Sequence, residues 1–299
     1  MREQVASVLS PAARESTTLE RTRKPGGTRK FNLSRFATMV FLLVCAIYFL
    51  VPFCWLFIAS TQTSQDLRNT SGLWFAPHFA LFRNIYFLFT VNNSIFVRWV
   101  FNTLIYAGGG AVAGTLLSSM AGYAMAKYVF PGRRAIFSVV LGAVLVPSTM
   151  LALPLYLMAS SGGLTNTYWS VLLPGMVSPF GVYLSRIYAD AAVPDDLLEA
   201  CRIDGASEWR TYTIALHLML PALATIFLFQ FVAIWNNYFL PLIMLTDNNL
   251  FPLTVGLSNW GGGTLVVCGS LVSSLPLIVG CIFLQRYWRN GLGTGSIKG

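Results

Sequence analysis

The stretch PDDLLEACRIDGASEW, residues 194–209, places a cluster of charges between two long apolar segments. Four acids and one arginine lie between Asp195 and Asp204, although only 10% of the whole chain is charged. Ordinary soluble domains are about 25% charged, and 55% of these 299 residues are hydrophobic. The composition therefore predicts an integral membrane protein in which this stretch is a loop between two spans.

Long gaps without Asp, Glu, Lys or Arg define the spans. A helix needs about 20 mostly apolar residues to cross a bilayer, and several gaps along the chain exceed that length. The gap between Arg134 and Arg186 holds two helices, because the small polar residues 160–167 suit a turn within it. The sequence thus predicts an all-α integral membrane fold with six transmembrane helices, at 36–60, 100–126, 135–158, 168–188, 214–242 and 264–283.

Basic residues predict the orientation, because Lys and Arg in short flanks stay on the cytoplasmic side. Eight precede residue 36, and others follow span two and span six. We therefore expect both termini in the cytoplasm, with a basic disordered tail at 1–35, a six-helix transmembrane domain at 36–290 and a cytoplasmic tail at 291–299. The loop 190–213, between spans four and five, then also lies in the cytoplasm.

Several function classes lack the residues that they need. The sequence has no G-x-x-x-x-G-K-[ST] loop for ATP, and its two histidines, His78 and His217, form no catalytic or metal-binding motif. We expect no cofactor, no metal and no catalytic residue. The net charge of +9 comes mostly from the basic tail, which we interpret as a topology signal, with binding of anionic lipid as the alternative. Nucleic-acid binding would need a folded basic face, so we expect no nucleic-acid partner.

Small residues and prolines mark the contacts between spans. Gly110, Gly114, Ser118 and Gly122 are each four positions apart, so they form one stripe along which another helix can approach closely. We expect this stripe to pack, with pore lining as the alternative. Prolines interrupt several spans, and the carbonyls that they leave free either line a cavity or bind neighbouring helices.

The charged stretch itself predicts a short surface helix. Pro194 suits its first position, acids follow in the first turn near the positive end of the helix dipole, and Gly205 can end it in a left-handed conformation. Ser207 can cap the next helix. The apolar residues share one face: Leu197, Leu198 and Cys201. Because an acidic helix is a poor ligand for an anionic membrane surface, we expect it to dock on a partner protein.

The same loop resembles a known family. EACRIDGAS, residues 199–207, resembles the E-A-A-x-x-x-G loop of the permease subunits of binding-protein-dependent ABC importers. PALATIFLFQFVAIWNNYFLPLIML, residues 221–245, and FNTLIYA, residues 101–107, resemble the carbohydrate, maltose-type branch. The resemblance runs from span one to the C-terminus. It departs at Cys201, where the motif has its second alanine, and at His217, where such loops commonly have a proline.

The resemblance implies that residues 194–205 are a coupling helix held in a cleft of a cytoplasmic ATPase. Five residues would form that contact: Glu199 and Asp204 through charge, Ala200 and Cys201 through close packing, and Gly205 as the turn. The partners would be a second homologous permease in a heterodimer, two cytoplasmic ABC ATPases, an extracytoplasmic solute-binding protein and membrane lipid. This chain would be a non-catalytic, multi-pass subunit in the plasma (inner) membrane, and its partners would hydrolyse ATP.

The branch implies a sugar or oligosaccharide as substrate. An ABC importer permease for a non-sugar solute is one alternative, and a self-sufficient channel or secondary carrier is another. Four residues of span five could offer a sugar one aromatic ring and three amides: Gln230, Trp235, Asn236 and Asn237. The same side chains could instead pack and hydrogen-bond between helices.

Overall fold

The computed structural model describes residues 33–69 and 73–293, with side chains described at 35–69 and 73–282. Every regular element within these ranges is helical, which agrees with the predicted all-α class. The chain divides into two compact units, Met1–Leu50 and Val51–Gly299. Most of the predicted tail at 1–35 and the end of the predicted tail at 291–299 lie outside the described residues.

Fourteen α-helices lie in the part of the chain that the structure describes: α1 (Leu33–Ser60), α2 (Ser64–Asn69), α3 (Leu81–Leu104), α4 (Gly110–Lys127), α5 (Arg133–Val144), α6 (Ala152–Ser161), α7 (Tyr168–Gly175), α8 (Pro179–Ala192), α9 (Asp195–Ile203), α10 (Glu208–Leu218), α11 (Leu220–Trp235), α12 (Phe239–Met244), α13 (Leu253–Asn259) and α14 (Thr264–Gly293). A π-helical turn, Ile105–Gly109, joins α3 to α4. Short 3₁₀ turns occur at Ser148–Leu151 and Asn248–Leu250.

Three stretches are helical, long and apolar enough to cross a membrane: Arg35–Ser60, Leu81–Lys127 and Thr264–Ile282. Two bent pairs raise the number to five if each pair forms one span: α5 with the turn and α6 after it, bent by 101°, and α10 with α11, bent by 78°. The predicted span 168–188 is divided between α7 and α8. The count of six spans and the cytoplasmic termini therefore stay predictions.

The predicted second span, 100–126, lies within a longer helical stretch that runs from Leu81 to Lys127. Arg98 lies in this stretch, and its guanidinium donates a hydrogen bond to Asn249 Oδ1 over 2.9 Å. A kink divides α3 at Asn92, Asn93 and Ser94, whose φ values are positive.

The stripe of small residues packs helices together, as predicted. Its four members on α4 are buried, and α4 lies along α8 and α11. At Gly122 a Cβ atom would lie 2.4 Å from Ser185 Cβ and 2.7 Å from the backbone nitrogen of Arg186. The missing side chain therefore lets the backbones of α4 and α8 approach closely.

Two buried apolar clusters organise the second unit. One is centred on α3 and the segment before α13, where Trp99 Nε1 donates to Asn248 O over 2.9 Å and Tyr106 OH donates to Leu250 O over 2.9 Å. The other, which we call the loop cluster, joins the end of α4 and the end of α8 to α9, α10 and α11. Its members are Tyr123, Ala126, Ala189, Val193, Leu198, Tyr212, Ala215, Met219 and Leu223.

Gly122→Ala should destabilise the protein, because the added methyl group would overlap the backbone of α8. Overpacking of this kind costs about 1–3 kcal/mol. The matched control is Gly142→Ala in α5, where a Cβ would meet nothing within 4 Å and alanine favours the helix. Thermal unfolding in detergent should show a lower midpoint for the first variant and an equal or higher one for the second. Equal midpoints for the two would contradict the close packing of α4 on α8.

Candidate functional site

The charged stretch forms α9, one residue shorter at its start than the sequence predicts. Pro194 has φ −66° and ψ 141°, so it is extended and precedes the helix instead of opening it. Asp195 and Asp196 occupy the first turn, where the positive end of the helix dipole favours their carboxylates. Arg202 lies in the last turn, at the negative end.

The C-terminal end of α9 follows the predicted turn. Gly205 has a φ of +70°, a conformation that glycine adopts without steric cost. The backbone nitrogen of Gly205 donates to Arg202 O over 3.1 Å, and that of Ala206 donates to Cys201 O over 2.9 Å. These bonds satisfy carbonyls that the helix end leaves free. Ser207 then caps α10, because its Oγ accepts from the Arg210 nitrogen over 3.3 Å.

The helix α9 has one buried face and one exposed face. Leu198 and Cys201 are 6% and 8% exposed, and Leu198 belongs to the loop cluster. Four of the five implied coupling residues are exposed: Glu199, Ala200, Asp204 and Gly205. Cys201 is buried in this chain. It follows Leu198 by three positions and shares its apolar face, as the sequence predicts.

Two polar contacts join the end of α4 to α9 and α10. Lys127 Nζ donates to Asp195 Oδ1 over 2.8 Å, and the lysine side chain is only 5% exposed. The next residue, Tyr128, donates its hydroxyl hydrogen to the Glu208 carboxylate. Burial and this bond raise the pKa of Tyr128, so the phenol keeps its proton. The sequence pattern identified the basic residues after span two only as signals of membrane orientation, and it did not indicate these contacts.

Gln230 is buried and bonds to a neighbouring helix. Its Nε2 donates to Gly175 O over 2.7 Å. That carbonyl needs a partner because α7 ends at Gly175, and the last carbonyls of a helix have no partner within it. Gln230 Nε2 also occupies the space over Gly114, where a Cβ would lie 1.9 Å away. This arrangement favours the packing alternative for Gln230. It also shows that a side chain of a neighbouring helix satisfies a carbonyl that lies near a proline.

The other three candidate substrate residues lie where α11 ends. Trp235 is 3% exposed and belongs to the cluster around α3. Asn237 is half-buried, and its carbonyl accepts a hydrogen bond from Thr254 Oγ1 over 2.9 Å. Asn236 is exposed, with its Nδ2 donating to Val232 O over 2.8 Å. Of the four, Asn236 is therefore the most accessible to a solute.

A cavity of about 430 Å³ adjoins Asn236, and we call it the α11–α14 cavity. The aromatic side chains at its wall are Trp235 and Tyr238. Its hydroxyl groups come from Thr254, Ser270, Ser273 and Ser274. These serines carry a signal in the sequence, because their spacing of three and four places them on one side of α14. An aromatic ring beside several hydroxyl groups suits a small polar ligand.

Residues 114–289 match the protein family described as binding-protein-dependent transport system inner membrane component. The chain is 35% identical to the arabinooligosaccharides transport system permease protein AraQ of Bacillus subtilis, over 90% of this chain and 98% of that protein. It is 31% identical to the lactose transport system permease protein LacG of Rhizobium radiobacter, over 86% of this chain and 94% of that protein.

A solved structure shares the fold. It is a crystal structure of a bacterial ABC transporter involved in the import of the acidic polysaccharide alginate. The TM-score is 0.75, the sequence identity is 22%, and the match covers 88% of this chain and 99% of that chain. At that identity the likeness concerns the fold alone.

Proposed function

Because this chain belongs to the family of binding-protein-dependent transport system inner membrane components, we propose that it imports a sugar or oligosaccharide as the permease subunit of an ATP-driven transporter. Members of this family are non-catalytic membrane subunits of ABC importers, and partner subunits hydrolyse the ATP. The chain is thus a multi-pass protein of the inner membrane. The relatives named for arabinooligosaccharides and lactose match it over most of their lengths, which supports a sugar as its substrate.

The proposed assembly places this chain in one half of a translocation pathway. A second homologous permease supplies the other half, two cytoplasmic ATPases drive it, and an extracytoplasmic solute-binding protein delivers the sugar. The basic tail and the loop 190–213 lie in the cytoplasm in this arrangement. The family supports such partners in general, and the present chain supplies the surface on which one of them docks.

The exposed face of α9 is the observation that carries the proposal. Glu199, Ala200 and Asp204 face outward, while Leu198 holds the helix to the loop cluster. An acidic helix that is free on one side and fixed on the other can be held by a partner without moving independently of its own chain. When ATP closes two ATPases together, such a helix transmits the displacement to the spans and shifts them between inward-facing and outward-facing states.

The sugar path is proposed to pass the α11–α14 cavity. Asn236 offers an accessible amide at this cavity, and Tyr238 and Trp235 offer aromatic surface. The hydroxyl groups of a sugar can hydrogen-bond to the amide, and the apolar faces of its ring can pack on the aromatic rings. Gln230 and Asn237 support the path indirectly, since Gln230 Nε2 and the Asn237 carbonyl each bond to another segment of this chain.

Glu199→Arg should reduce coupling to the ATPase, because it reverses the charge at the centre of the exposed face. The tagged complex is purified with its partners, and ATP hydrolysis is measured in liposomes with and without the sugar-loaded binding protein. Wild-type hydrolysis should rise with the loaded protein, tested with arabinooligosaccharides and lactose. The variant should either lose the ATPase on purification or show a stimulation of hydrolysis at least about tenfold smaller than that of wild type. A tenfold loss corresponds to a coupling free energy of about 1.4 kcal/mol.

The matched control is Asp190→Arg, which reverses another exposed acid outside α9 and should leave assembly and stimulation unchanged. Normal assembly and uptake in Glu199→Arg would show that α9 does not dock through its acidic face. A wild-type chain that concentrates sugar in liposomes with no partner present would overturn the proposed function as a whole.

Asn236→Ala should weaken uptake of the sugar while leaving the docking of the ATPase intact. Loss of one hydrogen bond to a neutral ligand costs about 0.5–1.5 kcal/mol, which predicts a rise in KM for uptake of roughly two- to tenfold. Gln230→Leu is the comparison, because its amide bonds to Gly175 O and its loss should lower thermal stability instead. An unchanged KM for Asn236→Ala would remove this residue from the path.

A further inference from the structure

The end of α4 contacts both ends of the segment that carries α9. Lys127 is the last residue of α4, and its partner Asp195 is the first residue of α9. Tyr128 follows Lys127, and its partner Glu208 is the first residue of α10. Two consecutive residues thus bond to the first residues of two successive helices, α9 and α10.

The lysine contact is electrostatically well placed. The Lys127 side chain is 5% exposed, and a buried cation is costly unless an anion pairs with it. It stands at the negative end of the α4 dipole, while Asp195 stands at the positive end of the α9 dipole. Each charge is therefore favoured by its own helix as well as by its partner, although Asp195 itself is 79% exposed.

A third residue holds this dipeptide in position. Arg133, at the start of α5, donates from one guanidinium nitrogen to Ala126 O over 3.2 Å and from the other to Tyr128 O over 3.3 Å. Both carbonyls lie at the end of α4, where helical partners run out. Arg133 therefore fixes the backbone on either side of Lys127. The side chains of Lys127 and Tyr128 extend from this fixed backbone to α9 and α10.

We propose that Lys127 and Tyr128 are positioning residues that clamp the starts of α9 and α10 to the end of α4, so that a displacement of α9 moves α4 with it. The inference rests on the proposed function, in which α9 receives the movement of an ATPase. Because α4 packs along α8 and α11 through its stripe of small residues, a displacement at its end reaches the helices of the transport path. Loss of the clamp leaves α9 held by the loop cluster alone, so less of its displacement reaches the spans.

The test is a double-mutant cycle in the complete transporter, purified through a tag on this chain and reconstituted in liposomes. Lys127→Met, Asp195→Asn and the double variant are compared for sugar uptake per ATP hydrolysed, with co-purified ATPase and thermal unfolding recorded for each. Each single variant should lower this ratio about tenfold while the ATPase remains bound, and the double variant should be no worse than either single variant, because all three lack the same contact. Asp195→Glu keeps the carboxylate and should restore coupling.

Asp196→Asn is the matched control, since it removes a neighbouring exposed acid from the same helix turn and should leave the ratio unchanged. If Lys127→Met prevents assembly, the same cycle with Tyr128→Phe and Glu208→Gln tests the second contact of the clamp. The proposal is wrong if the assembled single variants couple as well as wild type, or if the losses in the double variant multiply. A wild-type complex without sugar-stimulated hydrolysis would instead contradict the proposed function, because its hydrolysis would not be coupled to sugar uptake.

Discussion

Burial of one face of α9 against the loop cluster is the interaction on which the account depends. Each fully buried apolar side chain contributes about 1.5–3 kcal/mol, and Leu198 and Cys201 are both buried. Without that burial, the nine residues of α9 would form a solvated acidic loop. A partner that held this loop would not move the rest of the chain. With it, the exposed acids of α9 become part of the same packed body as the ends of α4, α8, α10 and α11.

From this cluster, continuous packing leads to the proposed sugar path. The small residues of α4 let α8 and α11 approach it closely, and the buried amide of Gln230 bonds α11 to the end of α7. Trp235, one turn further along α11, borders the α11–α14 cavity. Close-packed interiors transmit displacement because they have few alternative arrangements. The arrangement therefore provides a physical route from the loop to the cavity through side chains that touch, and coupling measurements decide whether movement follows it.

The sequence predicted those features that local rules control. The all-α class followed from composition, the turn at Gly205 and the cap at Ser207 followed from the preferences of single residues, and the packing of Gly122 followed from helical spacing. Features that depend on distant contacts were missed. The position of Lys127 needs Asp195, and the role of Gln230 needs the carbonyl opposite it. The six spans, the cytoplasmic termini and the coupling and substrate residues stay predictions.

The most direct test of the central claim measures whether α9 and α4 move as one body. Spin labels at Ile203→Cys on α9 and Met120→Cys on α4, both exposed, in a chain whose native cysteines are replaced, give their separation within the assembled transporter. Between the nucleotide-free and ATP-bound states this distance should change by less than about 2 Å, the size of a small helix shift, while the distance from α9 to the corresponding helix of the second permease changes by more. A large change within this chain, with α9 moving and α4 remaining in place, would contradict the account.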